Sequence, residues 1–209
     1  MSKINIDLMP WQTEVLNDKT RYQTVFAARM TGKTRFAVFK TIKSALFNKE
    51  DESVIYFSPY SQILGCVFEQ IKGVCGHLVR HSDYSQMEIT LSNWRKIYLR
   101  SPEFLYIPNE IQLSHVTFDE MHPAVNRIFN NDIKPLIEKT NGTALFLGRP
   151  IHEDSFFMEI YEKGLDIRNP EWKSWKIEVT DNPFISKADL DFARSYMGNA
   201  LFSQEYEPV

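Results

Sequence analysis

The sequence has little cysteine, no surplus of either charge and no long hydrophobic run, and each shortage removes a class of protein. Only two of the 209 residues are cysteines, Cys66 and Cys75. They lie in an apolar stretch without a partner motif, so they read as buried thiols of a reduced, cytosolic protein rather than as a disulfide. The formal net charge is -3, from 24 Lys and Arg against 27 Asp and Glu. That balance excludes a basic nucleic-acid module, and any contact with a polyanion has to come from a local patch. No segment approaches the roughly 20 apolar residues that span a bilayer. The opening MSKINIDLMPWQ lacks the apolar run of a signal peptide. Internal repeats and low-complexity tracts are also missing. What remains is a chain of ordinary soluble composition, 43% hydrophobic, long enough for one well-filled domain with at most a small appendage.

Short β-branched or aromatic runs alternate with longer helical patterns, which predicts an α/β domain with a mostly parallel central sheet flanked by helices. Strands are expected over Tyr22–Phe26, Val54–Phe57, Val116–Phe118, Thr143–Leu147 and Trp175–Val179, and a hairpin over Met87–Leu99 turning at Ser92-Asn93. Helices are expected over Lys33–Phe47, Ser61–Val74, Ile128–Lys139, Ser155–Lys163 and Lys187–Met197, the last capped by Ser186. Gly198-Asn199 separates a final helix that ends near Tyr206. Asp166–Lys173, with its Asn169-Pro170, reads as a hinge. It divides a core over residues 1–168 from a small C-terminal helical subdomain over 169–209.

The strongest chemical signal is Ala27-Ala28-Arg29-Met30-Thr31-Gly32-Lys33-Thr34. It follows an expected strand and opens an expected helix, the setting that a phosphate-binding P-loop, or Walker A motif, requires. The loop amides and the helix N-terminus would cradle the phosphates of ATP. Lys33 would reach the β- and γ-phosphates, and the Thr34 hydroxyl would hold Mg²⁺. Ala27 stands where the first glycine is usual. A Gly-Lys-Thr tripeptide alone could belong to any strand-to-helix turn, so the weight comes from two further motifs.

His115-Val116-Thr117-Phe118-Asp119-Glu120 is a buried strand ending in adjacent carboxylates, the Walker B arrangement. Side chains alternate along a strand, so the two acids can take different tasks. Asp119 would hold Mg²⁺ and Glu120 would orient and deprotonate the attacking water. Pro10-Trp11-Gln12 precedes the P-loop strand, and the Gln12 amide can both donate to and accept from the edge of adenine.

Gln12, the P-loop with Arg29, the Asp119-Glu120 pair and Gly148-Arg149-Pro150 occur in the order seen in large terminase subunits, the DNA-packaging motors of tailed phages and herpesviruses. Ser58-Pro59 with Gln62, the segment Ser155–Tyr161, Asp181-Asn182-Pro183 and Phe202-Ser203-Gln204-Glu205-Tyr206 extend the resemblance over most of the chain. The resemblance implies an additional-strand, RecA-like P-loop NTPase that hydrolyses ATP with Mg²⁺ and drives double-stranded DNA into a procapsid. It implies an arginine at Arg29 that senses or stabilises the γ-phosphate, and a coupling segment at Gly148-Arg149-Pro150, where the family usually has a small polar residue before the proline and this chain has Arg149. The implied partners are double-stranded DNA, the portal protein, the small terminase subunit and copies of the chain itself, in a ring on the procapsid in the host cytoplasm. In solution a monomer is expected, and no membrane is involved. The family continues into a nuclease near the position of Val209, so no nuclease activity is expected here.

Ring members of the family also supply an arginine in trans ahead of the catalytic glutamate. By spacing that position is Asn109, so Arg100 becomes the first substitute, with Arg95 and Arg149 behind it; Arg100 reads equally as a solvated strand-end residue, and Arg29 could do the work alone in cis. Two rival functions stand beside this one. Gln12 and the row Asp119-Glu120-Met121-His122, a DExH box, would suit the first lobe of a superfamily 2 helicase, although no second lobe follows. A nucleotide-binding regulatory module would have no need of Glu120. Lys40 and Lys43 read as a solvated helix face. Trp94, Trp172 and Trp175 read as packing residues rather than base-stacking platforms.

Overall fold

The computed structural model describes residues 7–47, 52–108, 110–149 and 155–207. Eight strands form one sheet in the order β3-β4-β5-β2-β6-β7-β1-β8. The six from β5 (Lys96–Arg100) through β2 (Ser53–Phe57), β6 (Leu113–Asp119), β7 (Thr143–Gly148) and β1 (Tyr22–Ala27) to β8 (Trp172–Ile177) run parallel. β4 (Glu88–Leu91) is antiparallel to both β5 and β3 (Val79–Asp83). Every residue of β1, β2 and β6 is buried. Continuous burial of that kind requires cover on both faces of the sheet.

Alternation along the strands sorts the side chains between two cores. Val54, Tyr56, Leu145 and Leu147 face helices α1 (Pro10–Asn17), α2 (Lys33–Phe47) and α3 (Ser61–Cys75). Ile55, Phe57, Phe118 and Phe146 face the opposite layer, made of α4 (Pro123–Arg127), a π-helical stretch (Ile128–Ile133), α5 (Lys134–Thr140) and α6 (Ser155–Leu165). The helix expected from Ile128 thus begins at Pro123. Past the sheet, α7 (Lys187–Met197) and α8 (Asn199–Tyr206) meet the P-loop through a small apolar cluster of Ala28, Val179, Phe202 and Tyr206. Ser186 caps α7 by accepting from the Asp189 amide at 3.2 Å. Among the described residues no helix is long and apolar enough to cross a membrane.

Several expectations change. Asp166–Lys173 leads into the main sheet rather than out of it: it turns through Asn169 N to Asp166 O, 2.9 Å, and delivers the chain to β8, which pairs with β1 from Tyr22 to Ala27. The main sheet therefore continues past the boundary placed at 168, and only α7, α8 and the turn before them lie outside it. Lys40 and Lys43 are half-buried and engaged rather than a freely solvated face. Lys40 donates to Gln23 Oε1 at 2.9 Å and Lys43 to Leu16 O at 3.0 Å, and burial, with Lys43 nearby, lowers the Lys40 amine to about 8. Cys75 is buried, whereas Cys66 is exposed; both are free thiols. Trp172 stacks on Tyr22 and Trp175 donates to Glu14 at 2.8 Å, but Trp94 is 63% exposed, with the Arg80 guanidinium over its ring.

Candidate functional site

Parallel strands put their C-terminal ends on one edge of the sheet, and that edge is where ligands of such folds bind. Registers Phe26↔Gly148 and Asp119↔Leu147 bring the exits of β1, β6 and β7 level. The P-loop, the carboxylate pair and Arg149 meet there around a cleft of about 430 Å³ lined by Arg29, Met30, Gly32, Lys33, Thr34, Arg35, Glu120 and Arg149. A cleft of about 460 Å³ beside α7 and α8 lies away from these groups.

The loop backbone is left-handed at Met30 (φ 62°) and Gly32 (φ 86°), which allows a tight turn with amides facing inward. Ala27 in place of the usual glycine is accommodated because it is the last residue of β1, outside both left-handed positions. Thr31 closes the loop by donating to Ala28 O at 2.8 Å. Lys33 curls back to donate to Ala27 O at 3.1 Å and Ala28 O at 2.9 Å, and lies 4.0 Å from Glu120. Burial lowers its pKa, while Glu120 and Asp119 pull the other way.

Asp119 ends β6 and is 2% exposed. Burial raises its carboxyl to about 6, against hydrogen bonds from Tyr56 and Thr34 that hold it down. Tyr56, fully buried in β2, donates to Oδ2 at 2.5 Å. Oδ1 is buried with no hydrogen-bond partner among the described residues. A buried, unpartnered carboxylate oxygen beside a threonine hydroxyl fits a hard cation such as Mg²⁺. No cluster of three or more His, Cys, Asp or Glu occurs among the described residues, so phosphate and water would complete the coordination.

Glu120 follows with φ 73°, a left-handed conformation that costs a residue with a long side chain. It turns the side chain toward Arg149, whose Nε lies 3.4 Å from Oε1. Arg149 Nη1 also pairs with Oε2 of Glu205 on α8, and Arg29 reaches the same oxygen at 3.4 Å. Burial works against the Arg149 charge, but Glu120 and Glu205 outweigh it and raise its pKa. Asn182 donates to Met30 O at 2.6 Å, a further tie between the loop and the C-terminal segment.

The structure thus gathers Ala28 through Thr34, Asp119, Glu120, Gly148 and Arg149; Pro150 and Asn109 lie outside the described residues. The expectations for four residues are corrected. Gln12 offers no free edge to adenine. It is 1% exposed, its Nε2 donates to Gly32 O at 3.2 Å and its Oε1 accepts from Met9 N at 3.0 Å, so it braces the loop. Arg100 cannot act in trans, because it is fully buried. Its guanidinium donates to the carbonyls of Tyr106, Gln86 and Leu99 and pairs with Glu88 at 3.2 Å. Arg95 is likewise inside, donating to Ala45 O at 3.2 Å. His122 caps α4 by accepting from the Ala124 amide at 3.1 Å, which removes the support it lent to a helicase. Sequence reasoning missed Tyr56 and the part played by Glu205; for Tyr56 the one available signal is a hydroxyl within the apolar run Val54–Phe57.

No protein-family profile matches the chain, and no curated protein matches it in sequence. Solved structures do match in shape. The ATPase domain of the Thermus phage P74-26 large terminase aligns with a TM-score of 0.74 at 15% identity, over 94% of this chain and 91% of that one. The large terminase of another thermophilic bacteriophage aligns with a TM-score of 0.76 at 15% identity, over 96% of this chain and 53% of that one. That second protein has also been solved with ADP and with ATP-γ-S. The HK97 bacteriophage large terminase gives 0.73 at 12% identity, over 96% and 50%. This chain therefore has the fold of a large-terminase ATPase domain, and it spans about half the length of the latter two proteins.

Proposed function

We propose that this chain is the ATP-hydrolysing motor domain of a large terminase subunit, which drives double-stranded viral DNA into a procapsid. The observation that carries the proposal is the meeting of Lys33, Asp119, Glu120 and Arg149 at one sheet edge, on a fold whose solved neighbours include terminases bound to ADP and ATP-γ-S. Lys33 leaves the carbonyls of Ala27 and Ala28 for the β- and γ-phosphates, which the amides of Met30 to Thr34 cradle, those of Ala28 and Arg29 being donated to Ile177 O and Glu205 O. Thr34 and Asp119 would hold Mg²⁺, which when bound neutralises phosphate charge. Glu120, 20% exposed and so reachable by water, orients the nucleophile and takes its proton as the water oxygen bonds to the γ-phosphorus and the bond to the β–γ bridging oxygen breaks. Arg29 and Arg149 offset charge on the transferring group. Double-stranded DNA, portal protein, small terminase subunit and a ring of copies on the procapsid in the host cytoplasm follow from the same reading.

The test is phosphate release by the purified protein, with and without double-stranded DNA and portal-bearing procapsids. Magnesium-dependent ATP turnover that rises with procapsids and DNA is expected. Absence of Mg-ATP binding at millimolar concentration, or wild-type turnover in Lys33→Ala, would refute the proposal.

A further inference from the structure

The cleft is rich in cations: Arg29, Lys33, Arg35 and Arg149 line it, with Glu120 as the carboxylate among them. Two of these cations are already committed. Glu205, on α8, holds the side chains of Arg29 and Arg149 on a single carboxylate oxygen, Oε2, and its carbonyl accepts from the Arg29 amide at 2.8 Å. Both partners of the Arg149 pair are largely shielded, at 22% and 14% side-chain exposure, so solvent weakens it less than a surface pair. The helix that presents Glu205 has few other anchors. α7 contributes no buried residue, and α8 buries only Phe202 and Tyr206. Among the described residues the other ties to the loop are the packing of Ala28 against Val179, Phe202 and Tyr206, the Asn182 bond to Met30 O and a contact from the Tyr206 hydroxyl to Met30 Sδ.

We infer that Glu205 is an internal competitor for the phosphate end of the site: its carboxylate stands where a terminal phosphate would meet Arg29 and Arg149, and nucleotide binding must take those arginines from it and loosen α8. This inference rests on the proposed nucleotide site. A phosphate carries more negative charge than a carboxylate and offers three oxygens, so it wins the guanidinium groups on entry. The protein loses the Glu205 pairs in the exchange, and the measured affinity is lower by that amount. Removing the competitor should therefore tighten binding, the reverse of what loss of a ligand-contacting residue does.

The test uses the whole chain and Mg-ATP-γ-S, titrated calorimetrically into wild type, Glu205→Gln and Glu205→Asp. Glutamine keeps the shape without the charge. Aspartate keeps the charge but is one methylene too short to hold both arginines. Glu205→Gln is expected to bind about 3- to 30-fold tighter, as a pair between exposed and buried strength implies, and Glu205→Asp is expected to move in the same direction. In wild type, saturating ATP-γ-S should speed amide hydrogen exchange across residues 187–207. If wild type binds and a folded Glu205→Gln binds equally or more weakly, the inference is overturned while the nucleotide site stands. Should glutamine prevent folding, the aspartate variant decides by the same criterion. Unchanged exchange in α8 on saturation also overturns it. If wild type binds no ATP-γ-S, the proposed function falls and this inference with it.

Discussion

Replacing Tyr56 with phenylalanine removes one hydroxyl from the centre of the site, and its effect can be worked from the surroundings. The hydroxyl donates to Asp119 Oδ2 at 2.5 Å, while Oδ1 has no partner among the described residues. Burial has already raised the carboxyl from 3.8 to about 6, and the bonds from Tyr56 and Thr34 oppose that rise. A hydrogen bond to a charged group contributes roughly 1.5–3 kcal/mol, which corresponds to about 1–2 pK units. Tyr56→Phe should therefore push the Asp119 carboxyl further up, above neutrality, so that its ionised fraction at pH 7 falls several-fold. Only the ionised carboxylate can hold a cation, so magnesium-dependent nucleotide affinity at pH 7 should drop about 2- to 10-fold. Above about pH 9 the variant should recover, because both carboxyls are then ionised. Affinity measured in a chelator should not change, since the hydroxyl touches no part of the phosphate cradle. The assay is calorimetric titration of ADP across pH, with and without magnesium. In wild type, magnesium-dependent affinity should fall as pH drops through about 6, the value at which Asp119 takes up a proton. A variant whose pH midpoint coincides with that of wild type would show that Tyr56 does not set the charge of Asp119.

Four further outcomes are expected. Lys33→Ala should lose about 10²- to 10³-fold in turnover or more, read as phosphate release, because no other side chain neutralises the phosphates from that position. Glu120→Gln should bind Mg-ATP as wild type does by calorimetry yet lose about 10²- to 10⁴-fold in turnover, because the amide keeps the shape and cannot accept the proton. Arg100→Ala should destabilise the fold by about 3–5 kcal/mol in denaturant unfolding, and mixing it with Glu120→Gln should not restore turnover; restoration would return Arg100 to a role between subunits. Asp119→Asn should raise stability at pH 8 by about 1–3 kcal/mol. The wild-type carboxyl favours the fold fully below its unfolded value of 3.8, and that contribution is lost as pH rises through about 6.

What was legible in the sequence is what leaves a local pattern. β1, β2, β6 and β7 are covered on both faces and so write short runs dense in β-branched, aliphatic and aromatic residues, with a few buried polar ones among them. β3, with the residues VRHSD, lies at the sheet edge, largely in solvent, and leaves no period to find. The P-loop and the Asp119-Glu120 pair were legible for a related reason: each is one short segment whose order carries the chemistry. The contacts that tune them join residues far apart in the chain. Tyr56 is 63 residues from Asp119, Arg149 is 56 from Glu205, and Asn182 is 152 from Met30. No spacing rule reaches that far. Arg100 misled because a charged residue at a strand end is ordinarily wet. Here the loop bearing Tyr106 and the β4 residue Glu88 close over it and supply acceptors for the guanidinium. Gln12 was placed near the right loop but given the wrong partner, because an amide that can read a base edge can equally pair with a backbone carbonyl and an amide.

The end of β7 shows why one residue can tie the cleft to the C-terminal helices. A side chain at Gly148 would meet Met121 Cγ at 2.7 Å and the Phe157 ring at 2.9 Å. The strand must therefore finish without one, so that the turn after Glu120 and α6 can close against it. The next position emerges level with the exits of β1 and β6, because the registers that pair Phe26 with Gly148 and Leu147 with Asp119 fix it there. Whatever side chain stands at 149 falls between the Glu120 carboxylate and the P-loop. A small polar group in that place has the reach for a single bond. The guanidinium of Arg149 spans from Glu120 on one side to Glu205 on the other. A change of charge beside Glu120 consequently alters a contact that holds α8, and by the reciprocity of linked equilibria a shift of α8 alters the environment of Glu120.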